Sequence, residues 1–140
     1  MASVYPYGKL ALANKLINLD TDDIRLALVN SSYPSSSAAN HQFMSSVSSY
    51  VVKLGSAALA STTLALDPVG TPTGVTFAAS PYTLSAVPAA NTVGFVVCYE
   101  QADGISTNQH LLAWHNLSST IATDGGDITV SFLNNVIFKF

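Results

Sequence analysis

The first third of the chain carries two periodic patterns of apolar residues. Over residues 8–18, Leu10, Ala13 and Ile17 fall on one face at helical spacing. The acidic run that follows favours a turn, because Asp side chains hydrogen-bond to nearby backbone. Over residues 24–29 the large apolar side chains alternate with smaller or polar ones, which predicts a strand with one face toward a core. We therefore expect a short helix at about 8–18 and then a strand.

The remainder of the chain alternates between apolar segments and turn sequences. Residues 30–49 break all periodicity, which predicts a long surface connection with one short helical turn, and a contact arm is one role that such a segment could have. Gly, Pro, Asp and Asn then separate short apolar runs, and the pair Asn134-Asn135 predicts a tight hairpin or a bulge. The predicted strands after the loop are 50–53, 61–66, 75–79, 92–100, 111–117, 128–133 and 136–140.

This order of elements predicts a mainly β fold. We expect a single β-rich domain over residues 1–140, an antiparallel β-sandwich or barrel of the jelly-roll or immunoglobulin-like type, with one short N-terminal helix. The chain of 140 residues has the length of one domain. No fixed-period repeat is visible in the sequence, so a solenoid or a propeller is not expected.

Charge is scarce. Charged residues make up 9% of the chain and apolar residues 49%, against a usual charged share of about 25%. The net charge is −3 with no basic cluster, so we expect no nucleic-acid partner. The longest apolar runs reach about five residues, too few to cross a membrane, and the first residues lack the pattern of a secretory signal. A surface this neutral favours a protein that lives in an assembly.

Candidate catalytic and metal-binding groups are sparse. His110 and His115 lie five apart on a predicted strand, so their side chains point to opposite faces, and His41 is remote in sequence. His115 could join an Asp and a Ser in a triad, but no Gly-x-Ser-x-Gly elbow occurs. The single Cys98 sits in an apolar run and is expected to be a buried thiol. The two Asp-rich segments, residues 20–23 and 124–127, favour turns over calcium sites. We therefore expect no enzyme, no metal and no cofactor.

The aromatic residues are the better candidates for binding. Trp114 and the tyrosines could stack on sugar rings, although Trp114 and Tyr99 lie in predicted strands and are expected to fill a core or an interface. Five aromatic side chains are predicted to contact neighbouring subunits, since they stand next to Pro or Gly near the N-terminus or in the last strand. They are Tyr5, Tyr7, Tyr33, Phe138 and Phe140.

Several segments resemble a known family. The segments Tyr7-Gly8-Lys9, 12–15 and 19–28, then 94–99, the strand at 111–114 and a closing hairpin at 128–140, resemble a widespread family of small virion proteins of tailed bacteriophages. The likeness is most specific over residues 7–28, and residues 45–75 depart from it. Members of that family are capsid-decoration or minor structural components, and the resemblance supplies no catalytic motif.

The resemblance and the low charge together imply a capsid decoration, or cement, protein. Such a protein would be made in the cytoplasm of the bacterial host and would reside in the virion. It would form a homo-oligomer, expected to be a trimer, and would clamp neighbouring subunits of the major capsid protein. Two alternatives are a minor structural protein of the tail or baseplate and a carbohydrate-binding β-sandwich module that uses Trp114. A hydrolase built on His115 is a more distant alternative.

Overall fold

The computed structural model describes residues 2–67 and 74–140 and shows a mainly β fold with one short helix near the N-terminus, as predicted. Four short 3-10 segments also occur in the described part, at Ser35–Asn40, Met44–Ser46, Ser48–Tyr50 and Leu133–Asn135. In chain order the elements are β1 (Ala2–Val4), α1 (Pro6–Ala13), β2 (Ile24–Asn30), β3 (Val51–Leu54), β4 (Thr63–Leu66), β5 (Val75–Ala78), β6 (Tyr82–Leu84), β7 (Thr92–Glu100), β8 (Leu111–Ala122), β9 (Ile128–Val130) and β10 (Val136–Lys139).

The strands form three antiparallel sheets. The largest has the order β1-β8-β7-β2-β3, a second has the order β10-β5-β4, and β6 pairs with β9. Over the described residues these sheets do not close into a barrel. Of the two predicted architectures, a sandwich-like arrangement is the one that the strand order allows.

The central strands β2 and β7 are buried on both faces. Leu26, Leu28 and Val96 pack on one face in a cluster that also holds residues of β5, β6, β8 and β10. Val29 and Val97 pack on the opposite face in a second cluster. The prediction of a single core-facing side was therefore wrong for β2, because the opposite face is covered as well.

The second face is covered by the segment at 30–50. This segment coils into 3-10 turns and buries Tyr33, Ala38, Met44 and Val47 against the central sheet. The segment lies on the surface and contains helical turns, as predicted, but it is not a free contact arm, since four apolar side chains anchor it to the body of the protein. Its polar residues, mostly Ser, remain on the outside.

Helix α1 begins earlier and ends earlier than predicted. Pro6 occupies the first turn, where its missing N–H costs no hydrogen bond. Asn14 closes the helix through its N–H to the Leu10 carbonyl, and Lys15 then adopts a left-handed φ of 59°. The buried helical residues are Gly8 and Ala11, while Leu10 is exposed.

The C-terminal segments also differ from expectation. Strand β9 ends at Val130 and pairs with β6, whereas β10 pairs with β5, so residues 128–140 do not form the closing hairpin. Asn134 and Asn135 both have positive φ, at 54° and 60°, and turn the chain from one sheet to another. Asn tolerates this region because its short polar side chain can bond locally. The Gly- and Pro-containing turn expected between the predicted strands 61–66 and 75–79 lies mostly outside the described residues.

A Gly8→Ala substitution tests the packing of α1. Alanine favours an exposed helix by about 1 kcal/mol over glycine. Here the added methyl group would collide with the carbonyl oxygen of Leu111 and approach Leu112 Cα to 3.1 Å. We expect a loss of about 1–3 kcal/mol in the free energy of unfolding, measured by urea denaturation. The exposed Lys9→Ala should change it by less than about 0.5 kcal/mol, and a stabilised Gly8→Ala protein would contradict this packing.

Candidate interaction surface

The structure separates the five aromatic residues predicted as contact anchors. Tyr5, Tyr33 and Phe138 are buried within the chain and leave no surface for a neighbouring subunit, so that prediction was wrong for these three. Tyr7 and Phe140 lie on the surface, with 40% and 37% of their areas exposed. Phe138 instead packs on Phe77, with 5.3 Å between ring centroids.

Tyr5 and Tyr33 belong to a hydrogen-bonded chain inside the protein. Their hydroxyl oxygens lie 2.8 Å apart, and the Tyr33 hydroxyl is also 2.8 Å from His41 Nδ1. Burial raises the pKa of both tyrosines, which keeps the hydroxyls protonated and able to donate. These hydrogen bonds connect the N-terminal segment to the 30–50 segment, so the two tyrosines have a structural role.

Trp114 is unsuited to open sugar stacking. Its ring is half-buried and packs against Tyr5, with centroids 4.6 Å apart. Its backbone lies between Ser3 of β1 and Val97 of β7 in the large sheet. Tyr99 is fully buried, as expected of a core residue.

The histidines lie in separate surroundings. His110 Nδ1 is 3.1 Å from a Glu100 carboxylate oxygen, and its ring packs on Phe43. His115 packs on Phe132 with centroids 4.7 Å apart. Within residues 2–67 and 74–140, no three His, Cys, Asp or Glu side chains come together as metal ligands would.

The Asp-rich segments and the cysteine have local structural roles. Asp22 accepts the Asn18 N–H at 2.7 Å, and Asp124 accepts the Gly126 N–H at 2.9 Å, so each carboxylate stabilises its own turn. Asp103 likewise accepts the Ile105 N–H at 3.0 Å. Cys98 is fully buried, as predicted, and burial raises its pKa. A thiol of raised pKa is a poor nucleophile.

A groove of about 370 Å³ opens beside the three-stranded sheet. One wall comes from the end of α1 and the segment after it, and the other from β4 and the last residue of the chain. Among the described residues that line the groove, Lys15 alone has a charged side chain. The lining residues are Leu12, Lys15, Ile17, Asn18, Leu19, Leu64 and Phe140.

The groove exists because the apolar face of the three-stranded sheet extends beyond the core. Leu64 lies opposite Phe77 and Leu66 opposite Val75, so the two leucines point to the same side as the buried Phe77. Yet Leu64 is 39% exposed and Leu66 66% exposed, because the core ends before it reaches β4. We call Leu64, Leu66 and Phe140 the open apolar face. The alternation of leucines in 61–66 was visible in the sequence, but not that this end of the face lies uncovered.

Comparison of the chain with protein-family profiles, curated proteins and solved structures gave no match. The described part of the chain has no helix that could cross a membrane.

A Tyr33→Phe substitution tests the internal hydrogen-bonded chain. It removes both bonds of the central hydroxyl and leaves the Tyr5 hydroxyl buried without its partner. We expect a loss of about 1–3 kcal/mol in the free energy of unfolding. Tyr5→Phe should cost less, because Tyr33 retains His41, and the double variant should cost less than the sum of the two. Strict additivity in this double-mutant cycle would contradict the coupling.

Acid should destabilise the protein through His115. Burial lowers the pKa of His115 to about 4, whereas an unfolded His titrates near about 6.5. Between these pH values the unfolded state binds the extra proton, so stability falls as the pH drops from about 6.5 to about 4. In His115→Gln the fall over this window should be smaller, measured by urea denaturation at each pH. Identical pH profiles for the two proteins would contradict the burial of a neutral His115.

Proposed function

We propose that this chain is a structural protein of a tailed-phage virion, a capsid decoration protein that binds across neighbouring subunits of the major capsid protein. In this proposal it acts as a homo-oligomer, with the trimer as the expected form, and resides in the virion. The phage assignment rests on the sequence resemblance alone. The observation that carries a binding role is the open apolar face with its groove.

The physical chemistry of that surface suits a protein partner. Leu64, Leu66 and Phe140 expose apolar area that gains about 25 cal/mol for each Å² removed from water. The three side chains are uncharged, so covering them desolvates no side-chain charge, whereas unpaired buried charges are costly. A partner with a complementary apolar ridge could therefore occupy the groove.

Binding of this kind would stabilise a shell by mass action. A protein that binds the assembled shell but not the dissociated subunits shifts the equilibrium toward assembly. Each copy contributes its own binding free energy, so many copies together oppose the pressure of packaged DNA. The shell's resistance to heat should therefore rise with the number of bound copies.

Binding to shells tests this function directly. Purified protein is mixed with heads of the encoding phage that lack it, and co-sedimentation and the temperature of DNA release are measured. We expect saturable binding at hundreds of copies per head and a higher release temperature. A few copies per particle would instead indicate the tail, and the absence of the protein from purified virions would refute a virion role.

Matched variants locate the binding surface. Phe140→Asp places a carboxylate in the groove while the backbone pairing of residue 140 with Val75 is retained. Leu133→Asp places the same group at a position that is 88% exposed and outside the groove lining. We expect Phe140→Asp to weaken shell binding at least about tenfold, equivalent to about 1.4 kcal/mol, and Leu133→Asp to bind normally. Equal binding by both variants would exclude the groove as the contact.

A further inference from the structure

We propose that β4 pairs edge to edge with β4 of a second copy of this chain, antiparallel and about a twofold axis at Ala65. The pairing would join two three-stranded sheets into one continuous sheet of six strands. The proposed capsid role does not specify this contact between copies, and the contact can be tested on the purified protein without a capsid.

The first observation is an open sheet edge. β4 is the last strand of the order β10-β5-β4, and no described strand pairs with it on the side away from β5. All four of its residues are exposed. An exposed strand edge presents a row of unpaired N–H and C=O groups that another strand can pair with.

The hydrogen-bond pattern shows which groups face that edge. Val75 of β5 exchanges both of its backbone hydrogen bonds with Phe140, at 2.8 and 2.9 Å, on the side away from β4. Its neighbour in β4 is Leu66, which therefore directs its own N–H and C=O away from β5. Because this orientation alternates along a strand, Leu64 also presents its N–H and C=O to the open edge.

These groups match their own copies. In an antiparallel pair centred on Ala65, Leu64 lies opposite Leu66 of the second copy, and Leu66 opposite Leu64. Each of the two pairs exchanges two backbone hydrogen bonds, so four bonds form, and every outward group of the two leucines is used. The leucine side chains of both copies then lie side by side on one face, where their lateral contacts remove part of their apolar area from water.

The charges of this region permit the pairing. Proteins commonly block an open edge with Lys, Pro or a bulge, but Thr63–Leu66 contains no charge or proline and pairs with β5 without a bulge. Two identical neutral strands meet without like-charge repulsion. Two charged side chains lie near the strand, Lys139 and Asp67. Lys139 Nζ is 2.7 Å from an Asp67 carboxylate oxygen, so the two charges pair within each copy.

This contact is distinct from a threefold one. A twofold pairing through β4 gives a dimer by itself, and in a trimeric protein it would link a protomer of one trimer to a protomer of another. Its signature is therefore a specific pairwise contact at Ala65, whatever the total number of subunits.

A cross-linking experiment tests the register. At the axis the two Ala65 residues form a non-hydrogen-bonded pair with Cα atoms about 4.5 Å apart, within the range of about 4.4–6.8 Å for a disulfide. The native Cys98 is buried and does not compete. We expect Ala65→Cys under mild oxidation to give a two-chain band on a non-reducing denaturing gel. The exposed Ser119→Cys, on another strand, is the matched control and should remain a single chain.

A second variant keeps the test decisive. Ala65→Cys combined with Leu66→Lys places a like charge on each side of the pair, and we expect at least about a tenfold loss of cross-linked product with an unchanged circular dichroism spectrum. Cross-linking of Ala65→Cys no faster than that of Ser119→Cys would overturn the proposal, and so would equal yields with and without Leu66→Lys. Pairing of copies without shell binding would refute only the capsid role, and shell binding without the Ala65 cross-link would refute only this contact.

Discussion

The structure depends on the burial of β2 and β7 on both faces. These two strands pair along their length, and their side chains alternate between two hydrophobic clusters. A strand that is apolar on both faces must be covered twice. One cover comes from the smaller sheets with α1, and the other from the 30–50 segment. The other elements provide these two covers. One of them, the 30–50 segment, is rich in serine and is held in place by the few apolar side chains that it buries.

The open apolar face is a consequence of how the first cover is built. The three-stranded sheet packs its middle strand, β5, over the core through the fully buried Phe77, and β10 contributes Phe138 beside it. β4 extends the same sheet by one strand, beyond the part of the sheet that packs on the core. Its leucines keep the orientation of core residues but remain exposed, and a groove forms beside Leu64 instead of a closed interior.

The sequence predicted what local patterns encode and missed what distant contacts decide. The long apolar runs of β7 and β8 and the turn-forming aspartates were recognisable without a structure. The buried face of α1 could not be recognised in this way. Gly8 is buried because the backbone of β8 lies close to it, and no periodicity within α1 indicates that contact. Tyr5 and Tyr33 appeared to be surface anchors because Pro neighbours them, yet their hydroxyls bond to each other across 28 positions of chain. The strand at 61–66 was predicted, but its place at a sheet edge depends on the pairing of all the others.

The position of the apolar groups explains more about binding than the scarcity of charge does. The outer part of β8 at 118–120 is as uncharged and as exposed as β4, but it carries hydroxyl side chains that hydrogen-bond to water. Covering such a surface returns little free energy, because each hydroxyl must recover in the interface the bond that it loses. Leu64 and Leu66 lose no such bond. Covering this neutral surface would desolvate few charged groups, and covering the open apolar face would in addition remove apolar area from water.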